Sequence, residues 1–199
     1  MAKVKLTKNE LRNQKDQLKR FQRYLPTLQL KKQQLQMVIR QIEAEEARKR
    51  EEREDIRHRI DAWIDLFGED LGLEELVTVS NVETSTGNIA GIDIPVFERI
   101  EYEDIDWDLF ATPVWVDAAV QRMKDLIAAD AELEILEEQH RLISEELRVT
   151  TQRVNLFEKV KIPETQENIR RIRIYLGDQQ TAEVVRGKIA KKKIEAKGE

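Results

Sequence analysis

The sequence predicts a mainly α protein: a long antiparallel two-helix coiled coil formed by N- and C-terminal helices, with a small β-hairpin insert at the end away from the termini. Three observations carry this expectation. A 3-4 spaced register runs from Leu11 to Trp63 through Leu11, Gln14, Leu18, Phe21, Leu25, Leu28, Lys32, Leu35, Ile39, Ile42, Glu46, Lys49, Arg53, Ile56, Ile60 and Trp63. A second such seam follows Leu133, Leu136, His140, Ile143, Leu147, Thr150, Val154 and Phe157. Between them lies a stretch of different texture, rich in β-branched residues, glycine and acid.

The first register has eleven apolar members among sixteen, and the residues between them are mostly Lys, Arg, Glu and Gln. A stripe this narrow is a coiled-coil seam, not the broad apolar face of a globular helix. At about 1.5 Å per residue, the span from Leu11 to Trp63 comes to roughly 80 Å. A compact chain of this length would be only about 30–35 Å across. The element is one that reaches or transmits. Its start is marked by Thr7-Lys8-Asn9-Glu10, which fits a capping box with Thr7 as N-cap and Glu10 reaching back to it. Its end is expected near Phe67, with Gly68 free to take the left-handed cap conformation. Pro26 removes one backbone donor inside this span, but the seam keeps its phase across it, which predicts a bend and not a break.

The insert is predicted to hold a hairpin. Val77 to Val82 alternates like a half-buried strand, Gly87-Asn88 supplies turn chemistry, and Ile89 to Ile100 contributes further β-branched residues punctuated by Gly91 and Pro95. The second long helix is expected to begin at Thr112-Pro113, an N-cap followed by proline at the first helical position. Val116, Val120, Met123 and Ile127 lie on a face compatible with its seam. Pro163 predicts another bend, after which Ile169, Ile172 and Leu176 resume the stripe, with helix to about Lys192 weakened by Gly177 and Gly187. The expected parts are thus 1–67, an N-terminal coiled-coil helix; 68–112, an acidic insert with the hairpin; and 113–199, a C-terminal coiled-coil helix with a basic tail. One connection makes the helices antiparallel, and pairing about the midpoint sets Leu18 near Ile162, Leu35 near Leu147 and Ile60 near Val120. The C-terminal helix, being longer, should overhang.

Composition fits an elongated chain. Charged residues are 37% and mean hydropathy is −0.60, yet the 40% apolar content is too periodic for disorder. Charge is segregated. Residues 68–112 hold twelve acidic side chains against the single Arg99, whereas residues 1–12 carry +3 and residues 186–199 carry +4. Such asymmetry bears on partners and orientation. There is no cysteine, which predicts a reducing, cytoplasmic setting without disulfides. The opening MAKVKLTKNE lacks a signal-peptide apolar core and no window approaches 18 apolar residues, so any membrane connection is expected through partners, without direct insertion.

Chemistry-bearing motifs are sparse. Ala182 to Ile189 lacks the leading glycine and the Ser/Thr of a phosphate loop. His58 and His140 are far apart, and no carboxylate pair stands out among Glu45-Glu46, Glu51-Glu52 and Glu137-Glu138, so no metal, cofactor or catalytic site is expected. His140, at a seam position, reads as a register-fixing polar residue. The run Glu43–Arg59 reads as a solvated helix with many i,i+4 pairs. The basic tail from Arg186 to Lys197 lacks interleaved aromatics, which argues against nucleic acid. Trp63, Trp107 and Trp115 read as a packing knot at the junction of helices and insert.

Two stretches resemble a known family. Asn88-Ile89-Ala90-Gly91-Ile92-Asp93-Ile94-Pro95-Val96-Phe97-Glu98 is similar to the N-(V/I)-A-G-(V/I)-x-(L/I)-P-x-F motif of the D subunits of V-type and archaeal-type ATPases. Arg153-Val154-Asn155-Leu156-Phe157-Glu158-Lys159-Val160-Lys161-Ile162-Pro163 is similar to their R-(V/T)-N-A-L-E-x-(V/I)-x-I-P motif, with Leu156-Phe157 in place of Ala-Leu. The matching residues are Asn88, Gly91, Pro95, Phe97, Arg153, Asn155, Glu158 and Pro163. The resemblance implies a central rotor stalk without an active site of its own. Such a stalk couples ATP synthesis or hydrolysis in a hexamer of catalytic A and B subunits to proton or sodium translocation. It implies the A and B subunits, the small F subunit of the rotor and a funnel-shaped C/d subunit on the membrane rotor ring as partners, and a place peripheral to the membrane. Under it Lys3, Lys5, Lys8, Arg12, Arg186, Lys188, Lys191, Lys192 and Lys193 would face the hexamer. The competing reading is a free-standing coiled-coil scaffold or prefoldin-like chaperone, which needs an apolar grip at the helix tips, where the sequence reads as polar.

Overall fold

A computed structural model describes residues 4–61, 77–103 and 115–195. The expected helix end at Phe67-Gly68, the helix start at Thr112-Pro113, and Lys3, Trp63 and Trp107 lie outside the described residues. Two compact units are distinguished, one of residues 1–32 with 149–199 and one of residues 33–148.

Helix α1 spans Lys8–Asp61 without interruption at Pro26. At its start Glu10 N–H donates to Thr7 Oγ1 at 3.2 Å, and Leu11 N–H to the Thr7 carbonyl at 3.0 Å, so Thr7 is the N-cap. The reciprocal half of the expected capping box is not made. Glu10 Oε1 instead accepts from Gln14 Nε2 at 2.8 Å, because Gln14 is drawn inward one turn later and presents its amide. Every described member of the Leu11–Trp63 register is buried or half-buried, the polar Gln14 and Glu46 among the most buried.

The hairpin pairs β1, Val79–Ile89, antiparallel with β2, Ile92–Tyr102. Its turn is not at Gly87-Asn88, which lie within β1, but at Ala90-Gly91. Both loop residues have positive φ, 53° and 81°, as a two-residue hairpin loop of the type I′ kind requires. Asn88 prepares the turn from its flank: its Oδ1 accepts the Gly91 N–H at 3.1 Å and its Nδ2 donates to Asp93 Oδ1 at 2.7 Å. Gly87 serves close packing, since a Cβ there would meet Val96 Cγ2 at 2.9 Å. Pro95, which cannot donate to a ladder, leaves a carbonyl that accepts Gln139 Nε2 at 2.5 Å.

In the unit of residues 33–148 the core joins α1, α2 (Val116–Asn155) and the hairpin. Leu35, Ile42, Ile143 and Ile94 form a buried cluster, with Ile39, Leu136, Leu147, Ile89, Ala90 and Ile92 packed against it. The hairpin is therefore not held away from the helices. Its turn and the start of β2 form the third wall of the core. Each fully buried Leu or Ile here contributes roughly 1.5–3 kcal/mol of transfer free energy.

In the other unit the C-terminal chain passes from α2 through a π-helical turn, Leu156–Lys161, into α3, Ile162–Glu195. The spacing explains the turn. Inward positions run Thr150, Val154, Phe157 and Lys161, and then Thr165, Ile169, Ile172 and Leu176. An unbroken 3-4 register would instead turn Glu164 and Arg171 inward. The apolar stripe is one residue late, and a π turn absorbs one extra residue. The bond from Ile162 N–H to the Phe157 carbonyl closes this turn. The next donor in that ladder would be residue 163, which is proline, so the α pattern resumes there. Pro163 thus ends a π turn in an otherwise continuous helix.

Candidate functional site

No carboxylate–histidine cluster able to hold a metal ion occurs among the described residues, and none of their helices is long and apolar enough to cross a membrane. The chemistry to account for lies in the seams and on the exposed faces.

Within the unit of residues 1–32 and 149–199, the helices meet through Phe21 and Phe157, whose ring centroids are 5.3 Å apart, and through Asn168 Nδ2 donating to Gln14 Oε1 at 3.5 Å. Leu18, Leu25, Leu28 and Leu11 are half-buried, while Val154 and Ile172 are buried. Lys5, Lys8, Arg12, Arg186, Lys188, Lys191, Lys192 and Lys193 are all exposed. So, beyond Leu176, is almost all of α3, including apolar residues: Val184, Val185, Ile189 and Ile194 are 50–72% exposed. The expectation of polar tips therefore fails at this end. The cause is that α3 outruns the start of α1 and nothing among the described residues covers its last five turns. Leu156 and Val160, in the π turn, are also exposed.

The flanks of this helix pair differ. One groove, of about 760 Å³, has Lys15 and Lys19 on its α1 wall, Arg170 and Arg173 on its α3 wall, and Leu18 and Ile169 in its floor. A second, of about 720 Å³, mixes Lys5, Arg20 and Lys161 with Glu10 and Glu164.

In the unit of residues 33–148, the stretch that departs from apolar chemistry is filled by a ladder of ion pairs. Lys49 Nζ lies 2.5 Å from Glu132 Oε2, Arg53 Nε 2.5 Å from Asp130 Oδ1, and Arg50 bridges Glu46 and Glu137 at 3.0 Å each. His140, half-buried, lies 3.7 Å from Glu43 and not on the innermost line, which Gln139 occupies. The run Glu43–Arg59 is thus more than a solvated face. The hydrogen bond that Lys49 donates to Glu132 is the main reason the Lys49 pKa is raised, against a smaller opposing effect of burial. Glu46 is 6% exposed and one of its oxygens, Oε1, is buried without a hydrogen bond. On the hairpin, Arg99 spans Glu83 and Glu101 and holds the Glu83 carboxyl below its usual range.

The residues named for the hairpin motif come together in space. Asn88 and Gly91 build the turn, Pro95 binds Gln139, and Phe97 lines a cleft of about 410 Å³ with Ile94, Leu136 and Lys49. Arg153, Asn155 and Glu158 are exposed, and Pro163 follows the π turn. Reading the sequence did not single out Asp130, Glu132 and Glu137, or the groove cations Lys15, Lys19, Arg170 and Arg173. The midpoint pairing, carried on to 49 and 53, sets them near 132 and 128, which points to Glu132 and the neighbourhood of Asp130 but not to Glu137, the partner of Arg50.

The family model for the D subunit of ATP synthase matches residues 10–192. The chain belongs to that family. The V-type ATP synthase D subunit from Borreliella burgdorferi is 55% identical over 96% of this chain and 95% of its own length. Those of Chlamydia muridarum and Chlamydia pneumoniae are 36% and 35% identical, each over 98% of this chain and over 97% and 94% of their own lengths. The match takes in both helical regions and the hairpin. As a member of the D-subunit family the chain is a component of the V-type ATP synthase, working with its other subunits.

Proposed function

We propose that this chain is the central rotor stalk of a V-type ATPase or ATP synthase, a non-catalytic component that couples ATP synthesis or hydrolysis in the catalytic hexamer to proton or sodium translocation. The observation that carries the reading is the narrow, paired seam, buried or half-buried at every described position from Leu11 to Ile60. Torque is transmitted by an element that is stiff and non-circular in section, and two paired helices with their side chains interlocked supply both. The A and B subunits would enclose the basic end, with Lys3, Lys5, Lys8, Arg12 and the α3 lysines toward them. The exposed Val184, Val185, Ile189 and Ile194 suit an apolar bearing that such an enclosure provides. The F subunit and the funnel-shaped C/d subunit on the membrane ring complete the expected partners, in a position peripheral to the membrane.

The same apolar end is what a free-standing chaperone would use as a grip, so the two readings need separating by partners. The full chain should copurify with A, B and F subunits and restore ion-coupled ATPase activity to a complex lacking it. A stable homo-oligomer without affinity for those subunits would overturn the stalk assignment.

A further inference from the structure

The hairpin has one edge closed and one open. In an antiparallel ladder, residues bonded to the partner strand alternate with residues whose N–H and C=O point away from it. The pair that closes the two-residue loop, Ile89 with Ile92, is a bonded one. Ser85 and Gly87 are therefore bonded to β2, while Thr84, Thr86 and Asn88 turn their backbone groups outward along β1. Thr86 faces Pro95, which has no N–H to give and so suits an unbonded pair. The outer edge of β2 is blocked at that proline, whose carbonyl takes Gln139 Nε2. The outer edge of β1 is not blocked. β1 pairs with β2 alone, and Thr84, Thr86 and Asn88 are exposed. Among the described residues no backbone hydrogen bond from outside the hairpin reaches their N–H or C=O groups. β1 also lacks the usual guards of a free edge. It has no proline and no lysine in eleven residues, and its one charge, Glu83, is held by Arg99. The extra residues of the hairpin are Ser80 and Glu98, so 81–89 runs without a bulge of its own.

An edge of this kind takes an extended segment of another chain through main-chain hydrogen bonds. Charge says which segment. Residues 77–103 hold Glu83, Asp93, Glu98, Glu101 and Glu103 against Arg99, a net of −4. That arginine is already shared between Glu83 and Glu101. A second copy of β1 would bring the same acidic sheet with it, so like charge opposes self-pairing. We propose that the free edge of β1 receives an extended basic segment of another subunit, which adds to the hairpin as a third strand. Its backbone bonds to Thr84, Thr86 and Asn88, and its lysine or arginine side chains offset the acidic residues of the sheet. The chain works with the other subunits of the V-type ATP synthase, so the segment belongs to one of them, whether or not this chain is the stalk. Main-chain bonding makes the contact tolerant of the segment's sequence, and the acidic sheet selects the sign of its charge.

Amide hydrogen exchange at single-residue resolution tests this, because an added strand protects alternate residues. In the isolated chain Gly87 and Ile89 should exchange slowly and Thr84, Thr86 and Asn88 fast. In the assembled complex the outward three should slow by about tenfold or more, while Gly87 and Ile89 change less. Thr86→Pro removes one outward N–H opposite Pro95 and leaves the bonds between β1 and β2 in place. In a complex built with it, protection of Thr84 and Asn88 should be lost while that of Gly87 and Ile89 persists. Thr86→Ala, which keeps the N–H, should behave as the parent does. Glu98→Gln with Glu103→Gln should weaken the outward protection, and no change there would overturn the basic character of the segment. Outward amides that exchange as fast in the complex as in the isolated chain overturn the proposal. So does protection that rises alike at every hairpin amide, which marks shielding without a strand. Outward protection already present in the isolated chain, and growing with its concentration, makes a second copy the occupant and overturns it too. The parent chain alone decides between these patterns, even if Thr86→Pro does not fold. None of them touches the stalk reading, which copurification and coupled ATPase activity judge separately.

Discussion

Two neighbouring stretches of one helix pair solve the same packing problem with opposite chemistry. In the unit of residues 33–148, α1 presents Leu35, Ile39 and Ile42 to Ile143, Leu147 and the hairpin. Two to three turns further on it presents Lys49 and Arg53 to Glu132 and Asp130, beyond the buried Glu46. The spacing of side chains does not change between them. Their energetics do. The first stretch removes apolar surface from water on three sides and is where stability resides. The second pairs charges that are still partly solvated, so Coulomb gain is offset by desolvation and side-chain ordering, and the net effect on stability is small. Ion pairs do fix which residue faces which. Lys49 opposite Glu132 and Arg53 opposite Asp130 penalise any slip along the axis by bringing unlike partners out of contact. We read the apolar block as the source of strength and the ladder as the source of alignment, an assignment that a torque-bearing stalk would exploit.

The comparison breaks most readily at the block. Leu35 and Ile143 are both fully buried, so Leu35→Ala or Ile143→Ala should lower unfolding free energy by about 2–5 kcal/mol, each leaving a cavity in addition to the lost transfer energy. Urea titration followed by circular dichroism measures this. A loss no greater than that caused by Lys49→Ala would abolish the distinction between the two stretches. Next in size is the hairpin, the block's third wall. Gly91 has φ +81°, a conformation that costs L residues about 1–2 kcal/mol. Gly91→Ala should therefore destabilise by that amount although its Cβ would meet no atom within 4 Å, whereas Gly177→Ala, equally open but helical, should stabilise by up to about 1 kcal/mol. Equal effects of the two substitutions would show that the turn does not hold the wall in place.

These contrasts also mark how much of the molecule was legible in its sequence. The seam of α1 could be read residue by residue, because a 3-4 spacing has one inward solution on a helix and the charged residues between leave no rival. The existence of the hairpin was legible too, but its turn was not. Asn-Gly-like chemistry at Gly87-Asn88 competed with Ala90-Gly91, and only the packing of Ala90 and Ile94 onto α1 and α2 decides between them. Pro163 announced an irregularity without its kind. The one-residue lag between Phe157 and Ile169 held the information, visible once the stripe is counted across the proline. The candidate surfaces were least legible. A lysine in a long charged helix carries no sign of whether an acid faces it from another helix: the register turns Lys49 inward and leaves Lys15 outside, but only tertiary pairing shows that Lys49 meets Glu132.

The ladder offers the finer test. A double-mutant cycle on Lys49 and Glu132, whose side chains are 22% and 26% exposed, should give a coupling of about 1 kcal/mol or less. A coupling of several kcal/mol would mean the ladder holds the helices together and does more than align them.

The smallest effect expected is with pH, and its sign follows from two groups. The Lys49 pKa is raised, first by its hydrogen bond to Glu132, and the Tyr102 pKa is raised, first by burial and then by Asp125. For both, the folded state holds its proton more tightly than the unfolded chain. Their contribution is therefore complete below the unfolded values, about 10.4 for lysine and 10 for tyrosine, and is lost as pH rises through the folded ones. Stability should be insensitive to these groups from about pH 6 to 9 and should fall only in alkali. Thermal unfolding of Lys49→Met and Tyr102→Phe, each compared with the parent between about pH 9 and 11, separates them: each variant should show a shallower alkaline decline, because the proton it would have released in unfolding is gone. A decline unchanged in both would place the alkaline sensitivity in other groups. It would also leave the ladder with alignment alone, since Lys49 has the clearest electrostatic link to folding of any residue in it.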